Sequence, residues 1–70
     1  MNAQSAQEAN QQFRQASEAM RAGNFEVAAA GFAAVVKQAP AFAEAHFNLG
    51  LANEELGKHT EAIALSLIHI

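Results

Sequence analysis

Apolar residues between Gly23 and Pro40 recur at the spacing of one face of an α-helix. Four of them fall at positions i, i+3, i+7 and i+10: Phe25, Ala28, Phe32 and Val35. Asn24 is a residue type that favours the N-terminal cap of a helix, and a proline disfavours helical conformation in the residue before it. The pattern therefore predicts a helix that begins after Asn24, buries one face and stops just before Pro40.

The segment before Gly23 is polar but rich in helix formers, which predicts a first helix that ends near Ala22. Ser5 and Glu8 form an S-x-x-E pattern, which is typical of a capping box at a helix start. Because this end is rich in Gln and Asn, we expect residues 1–8 to be a partly frayed lead and the helix to begin at about Gln7.

After the proline, the pattern predicts two further helices. The third is expected from Phe42 to Leu56, because Gly57 suits the left-handed position that follows a helix C-terminus. A fourth is expected to begin near Thr60. Since the connections are only a few residues long, consecutive helices should lie antiparallel.

Small residues dominate the apolar content, which indicates closely packed helices rather than a thick sheet sandwich. Apolar residues make up 51% of the chain, and half of them are Ala. Gly31, inside the second predicted helix, should cost about 1 kcal/mol of helix stability relative to Ala. A close approach of another helix at Gly31 would explain its presence.

Charge and composition exclude several classes of function. The net charge is −3 and the four basic residues are dispersed, so there is no footprint for nucleic acid. Cysteine is absent, which excludes a disulfide framework and a zinc-thiolate site. The N-terminus lacks the basic and apolar regions of a signal peptide, and the longest apolar run, Val27 to Val36, is too short to span a bilayer. We therefore expect no membrane insertion. The localisation stays unknown, with the cytoplasm as the default, and a signal peptide missing upstream of this sequence is left open.

Three residue types could suggest chemistry, and each has a simpler explanation. His46, His59 and His69 are 13 and 10 residues apart with no i, i+4 pair, so solvated or half-buried histidines are favoured over a metal site. No serine lies in a nucleophile elbow. Three acids near a helix end are expected to form a solvated face: Glu54, Glu55 and Glu61. We therefore expect no catalytic residue, metal or cofactor.

Residues 34 positions apart match along much of the chain. The pairs that carry the match are Phe13 with Phe47, Gly23 with Gly57, Ala28 with Ala62, and the small pair Ala16 with Gly50. Coincidences of Ala are common between Ala-rich helices, whereas matched Phe and Gly pairs are much rarer. The period predicts a repeated helix–turn–helix unit.

The stretch HFNLGLANEELGKHTEAIA resembles the tetratricopeptide repeat (TPR), whose unit reads W-x2-L-G-x2-Y, then A-x3-F, then P. The matching residues are Leu49, Gly50 and Ala62 in the second unit, and Ala28, Phe32 and Pro40 in the first. The resemblance covers about residues 9–64. The departures are Gln12 and His46 at the Trp site, Ala19 and Asn53 at the Tyr site, Ser66 at the Phe site and His69 at a small-residue site.

This resemblance implies an all-α fold of antiparallel helix–turn–helix repeats, a TPR-like α-solenoid of about four helices with the last one truncated. The first repeat would span residues 9–42, and an incomplete second repeat residues 43–64. Four small residues should let the helices of each hairpin approach closely: Ala16, Ala28, Gly50 and Ala62. Fewer than three repeats should give a marginal fold.

The resemblance also implies a concave groove lined by the first helix of each repeat. The groove residues carried over by motif position are Asn10, Phe13, Arg14, Ser17 and Arg21 in the first repeat, and Glu44, Phe47, Asn48, Leu51 and Glu55 in the second. The two Phe residues could be core or exposed anchors. A clamp for chaperone C-terminal carboxylates is not predicted, because Phe13 and Ser17 stand where it needs Lys and Asn, and only Asn48 matches.

The implied function is a non-catalytic interaction scaffold that binds a protein partner, a peptide or a helix, in this groove. Two alternatives stay open at this point. One is a structural helical fragment that self-associates through its unfinished C-terminal end. The other is the TPR part of a larger enzyme or regulator whose catalytic domain lies elsewhere.

The last six residues, LSLIHI, break the repeat register and carry no charge. They resemble the translation of a transposon mosaic end, a sequence used in adapters for sequencing libraries. We therefore expect residues 65–70 to be a non-native tail on a fragment of a longer TPR protein; the alternative is a degenerate ending of the fourth helix. The coding DNA would decide between the two.

Overall fold

Three α-helices make up the architecture. The computed structural model describes the backbone of residues 3–68 and the side chains of residues 6–65. The helices are α1 (Ala3–Arg21), α2 (Phe25–Gln38) and α3 (Ala43–Ile68), and no strand occurs in the described backbone. The predicted all-α class is confirmed, with three helices in this part of the chain where about four were expected.

The turn between α1 and α2 depends on Gly23, whose φ of +81° lies in the left-handed region. The N–H of Asn24 donates to the carbonyl of Ala19 at 2.8 Å, and the N–H of Gly23 donates to the carbonyl of Met20 at 3.1 Å. This pair of bonds is a Schellman motif, which satisfies carbonyls at the end of α1 and reverses the chain. Asn24 occupies the N-cap position of α2 as predicted, but its side chain makes no capping hydrogen bond.

The connection between α2 and α3 contains Pro40, and α2 ends before it as predicted. The N–H of Ala39 donates to the carbonyl of Val35 at 2.7 Å and closes the last turn of α2. The carbonyl of Phe42 then accepts from the N–H groups of Ala45 and His46, at 3.1 and 3.3 Å, and starts α3. Both connections are therefore short, and each reverses the chain direction.

Alanine side chains from all three helices, together with Phe32 and Val35 of α2, form the core. One cluster consists of Ala16, Ala28, Phe32 and Ala52, and the other of Ala9, Val35 and Ala45. The earlier residues of α1 and α3, Ala9 and Ala45, thus pack near the end of α2 at Val35. The later residues, Ala16 and Ala52, pack nearer its start, at Ala28 and Phe32. It follows that α1 and α3 run parallel to each other and antiparallel to α2, so that both lie on one side of it.

The close helix approach predicted at Gly31 is confirmed. A Cβ atom placed on Gly31 would lie 2.7 Å from the Cβ of Ala16. Real Cβ atoms do not approach so closely, because dispersion attraction turns into repulsion well before that distance. The pair Ala16 and Gly31 therefore sets the separation between α1 and α2.

The predicted helix break at Gly57 is wrong, since α3 continues through it without interruption. Gly57 does not have a positive φ, and no atom outside its own helix lies close to where its Cβ would be. Thr60, expected to begin a fourth helix, lies inside α3 and donates its hydroxyl to the carbonyl of Leu56 at 2.9 Å. Continuing the helix satisfies the backbone here without a turn, and no packing contact forces the chain to reverse.

Because α3 does not fold back, the expected close packing in the second hairpin is absent. Gly50 has open space around its Cβ position, and Ala62 is exposed. α3 has 26 residues against 14 in α2, so its C-terminal part extends beyond the other helices. Residues 57–65 are all exposed.

The two ends of the described chain also bear on predictions. α1 begins at Ala3, so Ser5 lies within the helix rather than at its N-cap, and the capping box expected there is wrong. At the other end, the side chain of Ser66 and the whole of His69 lie outside the described residues. The backbone of α3 reaches Ile68.

Candidate partner-binding groove

Two rows of side chains, one on α1 and one on α3, form the candidate site. The α1 row is Asn10, Phe13, Arg14, Ser17 and Arg21, and the α3 row is Glu44, Phe47, Asn48, Leu51 and Glu55. Each row has the spacing i, i+3, i+4, i+7 and i+11, which is one face of a helix. Since α1 and α3 lie parallel on the same side of α2, the rows run in the same direction.

An open depression of about 420 Å³ lies along α1. The residues that line it are Asn10, Phe13, Arg14, Ser17 and Arg21, which is the complete α1 row. The depression is thus formed by one helix face rather than by a cleft between helices. It offers polar, cationic and aromatic groups to the same volume.

Phe13 is half-buried and belongs both to the core and to the depression. Its ring packs edge-on against Phe32, with centroids 5.5 Å apart and an interplanar angle of 63°. The same ring stacks on Phe42 at 4.8 Å and 22°. These contacts hold Phe13 as a fixed wall of the depression. The Ser17 hydroxyl donates to the carbonyl of Phe13 at 2.9 Å, so its donor is engaged within α1.

The α3 row is more apolar than the α1 row, and its apolar residues are exposed. Phe47 has 67% of its surface exposed, and Leu51 has 37%. Asn48 and Glu55 are half-buried, while Glu44 is exposed. The equivalent residues Phe13 and Phe47 therefore differ: the first packs into the core, and the second faces solvent.

Charges at the C-terminal end of the α3 row form a small network. The ammonium group of Lys58 donates to a carboxylate oxygen of Glu55 at 3.3 Å and lies 3.6 Å from one of Glu54. The hydrogen bond and charge of Glu55, with the charge of Glu54, raise the pKa of Lys58 above its ordinary value. The groups are exposed, so this network contributes to the local charge pattern more than to stability.

No metal-binding constellation is present among the described residues, where no three potential ligands come together. His46 is exposed, and its Nε2 lies 2.7 Å from the carbonyl oxygen of Pro40. This contact is a hydrogen bond when Nε2 carries the proton. His59 is also exposed.

Two features of the site were not predicted. The stacking of Phe42 on Phe13 could not be read from helical spacing, because Phe42 lies in a connection whose geometry sets the direction of its side chain. The second is the buried side-chain oxygen Oε1 of Gln12, which has no hydrogen-bond partner among the described residues. The sequence did indicate an unusual residue here, since Gln12 stands at a position where the repeat pattern favours Trp.

Comparison with known proteins identifies the class to which this helical arrangement belongs. A sequence profile described as the tetratricopeptide repeat matches residues 13–67. The match covers most of the chain, and the chain therefore belongs to the tetratricopeptide repeat family. No curated protein and no solved structure matches it.

Membership of this family indicates a role in protein–protein interaction, with proteins as the general class of partner. Tetratricopeptide repeat domains are generally non-catalytic. Separately, none of the helices in the described residues combines the length and apolar character needed to cross a bilayer.

Proposed function

We propose that the chain is a non-catalytic interaction module that binds a partner peptide or helix along the α1 and α3 rows. The observation that carries the proposal is the exposure of Phe47, at 67%, in the middle of a row of groove positions. A large aromatic side chain that is not buried in the core loses contact with water when a partner covers it, and this burial is favourable in free energy.

The surroundings of Phe47 support this assignment. Leu51, one turn further along α3, is also exposed, and Asn48 lies beside both with an amide that can bond a partner backbone. Covering an aromatic or aliphatic side chain of this size contributes about 1.5–3 kcal/mol of hydrophobic free energy. Such apolar anchors with adjacent hydrogen-bonding groups are typical of binding hot spots.

The experiment begins with selection of binding peptides from a random displayed library against the whole chain. Affinity for the selected peptides is then measured for Phe47→Ala and Asn48→Ala, with circular dichroism to check that helicity is retained. We expect Phe47→Ala to weaken binding by about 2 kcal/mol or more, roughly 30-fold, as a hot-spot residue does.

Val27→Ala is the matched control. Val27 is apolar and 54% exposed, but it lies on α2 outside both rows. Its truncation should leave binding unchanged. If Phe47→Ala binds as tightly as the parent chain, or if Val27→Ala weakens binding equally, the groove is not the binding surface.

A second candidate function is self-association, which the extension of α3 favours. Ile63 is 49% exposed on the part of α3 that projects beyond the other helices. A second copy could cover this residue. Analytical ultracentrifugation tests this candidate: a single monomeric species at high concentration removes it, and a dimer that dissociates on Ile63→Gln supports it.

A further inference from the structure

We propose that the depression on α1 is a subsite for acidic side chains of the partner, with the guanidinium groups of Arg14 and Arg21 as the carboxylate ligands. This inference rests on the proposed function and names the chemistry of one half of that groove. The observation behind it is that two cationic side chains on one helix face line the same depression.

The two arginines are well placed to share a ligand. Both are exposed, and both line the depression of about 420 Å³. They are seven residues apart, which is about 10 Å along a helix at 1.5 Å per residue. Ser17 lies between them, and its small side chain leaves the volume above it open.

Neither arginine is engaged in an ion pair with any other described side chain. The ion pairs in that part of the chain all involve Lys58, with Glu54 and Glu55. Guanidinium groups present paired donors that match the geometry of a carboxylate. Although the net charge of the chain is −3, two guanidinium groups thus line the same depression without an ion-pair partner among the described side chains.

The α3 row contains no basic residue, and its acids are Glu44 and Glu55, the second of which is paired with Lys58. The groove is therefore cationic along α1, and the acid of the α3 row that forms no ion pair with a described side chain is Glu44. A partner helix would bind with its acidic side chains facing α1 and with no acidic side chain facing α3. Charge complementarity of this kind fixes the orientation of a partner more than it raises affinity.

The arrangement differs from the carboxylate clamp of chaperone-binding relatives. The clamp positions on α1 are Phe13 and Ser17, which carry no charge. Phe13 is packed between Phe32 and Phe42, and the Ser17 hydroxyl is bonded within the helix. The proposed ligands are instead Arg14, next to Phe13, and Arg21, one helical turn after Ser17, and their target is a pair of side-chain carboxylates.

The test uses helical peptides with amidated C-termini, so that all carboxylates are on side chains. Each carries Leu on the binding face and, at two positions seven residues apart, either Glu, Gln or Lys. Binding to the whole chain is measured by fluorescence anisotropy at low and at high salt. Because the chain is acidic overall, long-range repulsion disfavours the Glu peptide, and tighter binding by that peptide reports a local cationic site.

Two exposed ion pairs should make the Glu peptide bind about 2- to 30-fold more tightly than the Gln peptide at low salt. The Lys peptide should bind most weakly. The preference for Glu should shrink in 1 M salt, where the screening length falls to about 3 Å. Arg14→Gln with Arg21→Gln should abolish the preference, whereas Lys37→Gln, which removes a charge on α2, should leave it unchanged.

The outcomes separate this inference from the proposed function. If the Glu, Gln and Lys peptides bind equally and Phe47→Ala weakens all three, the groove binds peptides but the acidic subsite is refuted. If a Glu preference persists in the double arginine variant, its source lies elsewhere and the inference is again refuted. If none of the designed or selected peptides binds, both the inference and the proposed function are overturned.

Discussion

Ala16 and Gly31 touch so closely that a methyl group on Gly31 would have no room: its Cβ would lie 2.7 Å from the Cβ of Ala16. Ala16, on α1, is buried in one core cluster with Ala28 and Phe32 of α2 and Ala52 of α3. The spacing of α1 and α2, and with it the placement of the α1 row, depends on this contact.

The first prediction concerns Gly31→Ala. Helix propensity alone would favour Ala by about 1 kcal/mol. The added methyl must instead displace the backbone of α1, since Ala16 has no flexible side chain to move away. Overpacking of this kind costs about 1–3 kcal/mol, so urea denaturation should show net destabilisation.

Gly50→Ala is the matched control for that variant. Gly50 is also helical and stands in phase with Ala16 in the repeat, but its Cβ position is open. We expect stabilisation by about 0.5–1 kcal/mol, from helix propensity alone. A stabilised Gly31→Ala variant would show that α1 and α2 are not in close contact.

A second prediction tests the continuity of α3. Gly57 is helical with open space around it, so Gly57→Ala should raise helicity and stability by about 0.5–1 kcal/mol. Gly23, in contrast, has a φ of +81°, and Gly23→Ala should be destabilising by about 1–2 kcal/mol. Thermal melts followed by circular dichroism compare the two variants. Loss of stability in Gly57→Ala would indicate a turn at Gly57 and a broken α3.

A third prediction concerns Gln12, whose buried Oε1 accepts no hydrogen bond from any described residue. An unsatisfied buried polar group costs about 1–3 kcal/mol, so Gln12→Leu should stabilise the fold by about 1 kcal/mol. Gln15→Leu, a similar change at an exposed position of α1, should have little effect. Equal effects of the two substitutions in urea denaturation would show that Gln12 is as solvated as Gln15.

The fourth prediction is a pH dependence in α3. The pKa of Lys58 is raised above its ordinary value of 10.5, chiefly by the hydrogen bond and charge of Glu55. A raised folded-state pKa means that the contribution of Lys58 is fully present below that ordinary value and is lost as the pH rises through the folded-state pKa. Lys58→Gln should therefore lower helicity slightly at neutral pH.

The difference in helicity between Lys58→Gln and the parent chain should vanish at alkaline pH above the raised pKa. It should also shrink at high salt, because both side chains are exposed and screened. A helicity difference that is constant across this pH range would show that the ion pairs with Glu54 and Glu55 are not its cause.

Particular residues show how far the sequence determines the fold. The spacing of Phe25, Ala28, Phe32 and Val35 predicted α2 and its buried face, because periodicity reflects the face that must be covered. The last three of these residues are buried, and Phe25 is half-buried. Pro40 predicted the end of α2, and Gly31 predicted the close helix contact. All three signals are local, so they could be read without knowing the neighbours.

Gly57 shows where such reasoning fails. It matches Gly23 in the repeat, yet the glycine with a positive φ is Gly23. Glycine permits a left-handed turn but does not require one. The turn at Gly23 is accompanied by packing of α2 on α1, whereas nothing in the described chain packs on the α3 segment after Gly57. Whether a glycine forms a turn or continues a helix thus depends on packing contacts that sequence spacing does not reveal.

The candidate groove shows the same limit. The repeat pattern placed Phe13 and Phe47 at equivalent positions, and the sequence could not decide whether each was core or exposed. Phe13 packs on Phe32 and Phe42, while Phe47 is 67% exposed. Phe32 of α2 and Phe42 of the connection both pack on Phe13, whereas no aromatic ring packs on Phe47 among the described residues.

The groove is tested most directly by an amide chemical-shift titration of the whole labelled chain with a selected peptide. We expect the largest shift changes at the α1 and α3 rows, centred on Ser17 and Phe47, while the exposed face of α2 around Val27 stays unchanged. Shift changes confined to α2, or to the segment of α3 after Gly57, would contradict this expectation.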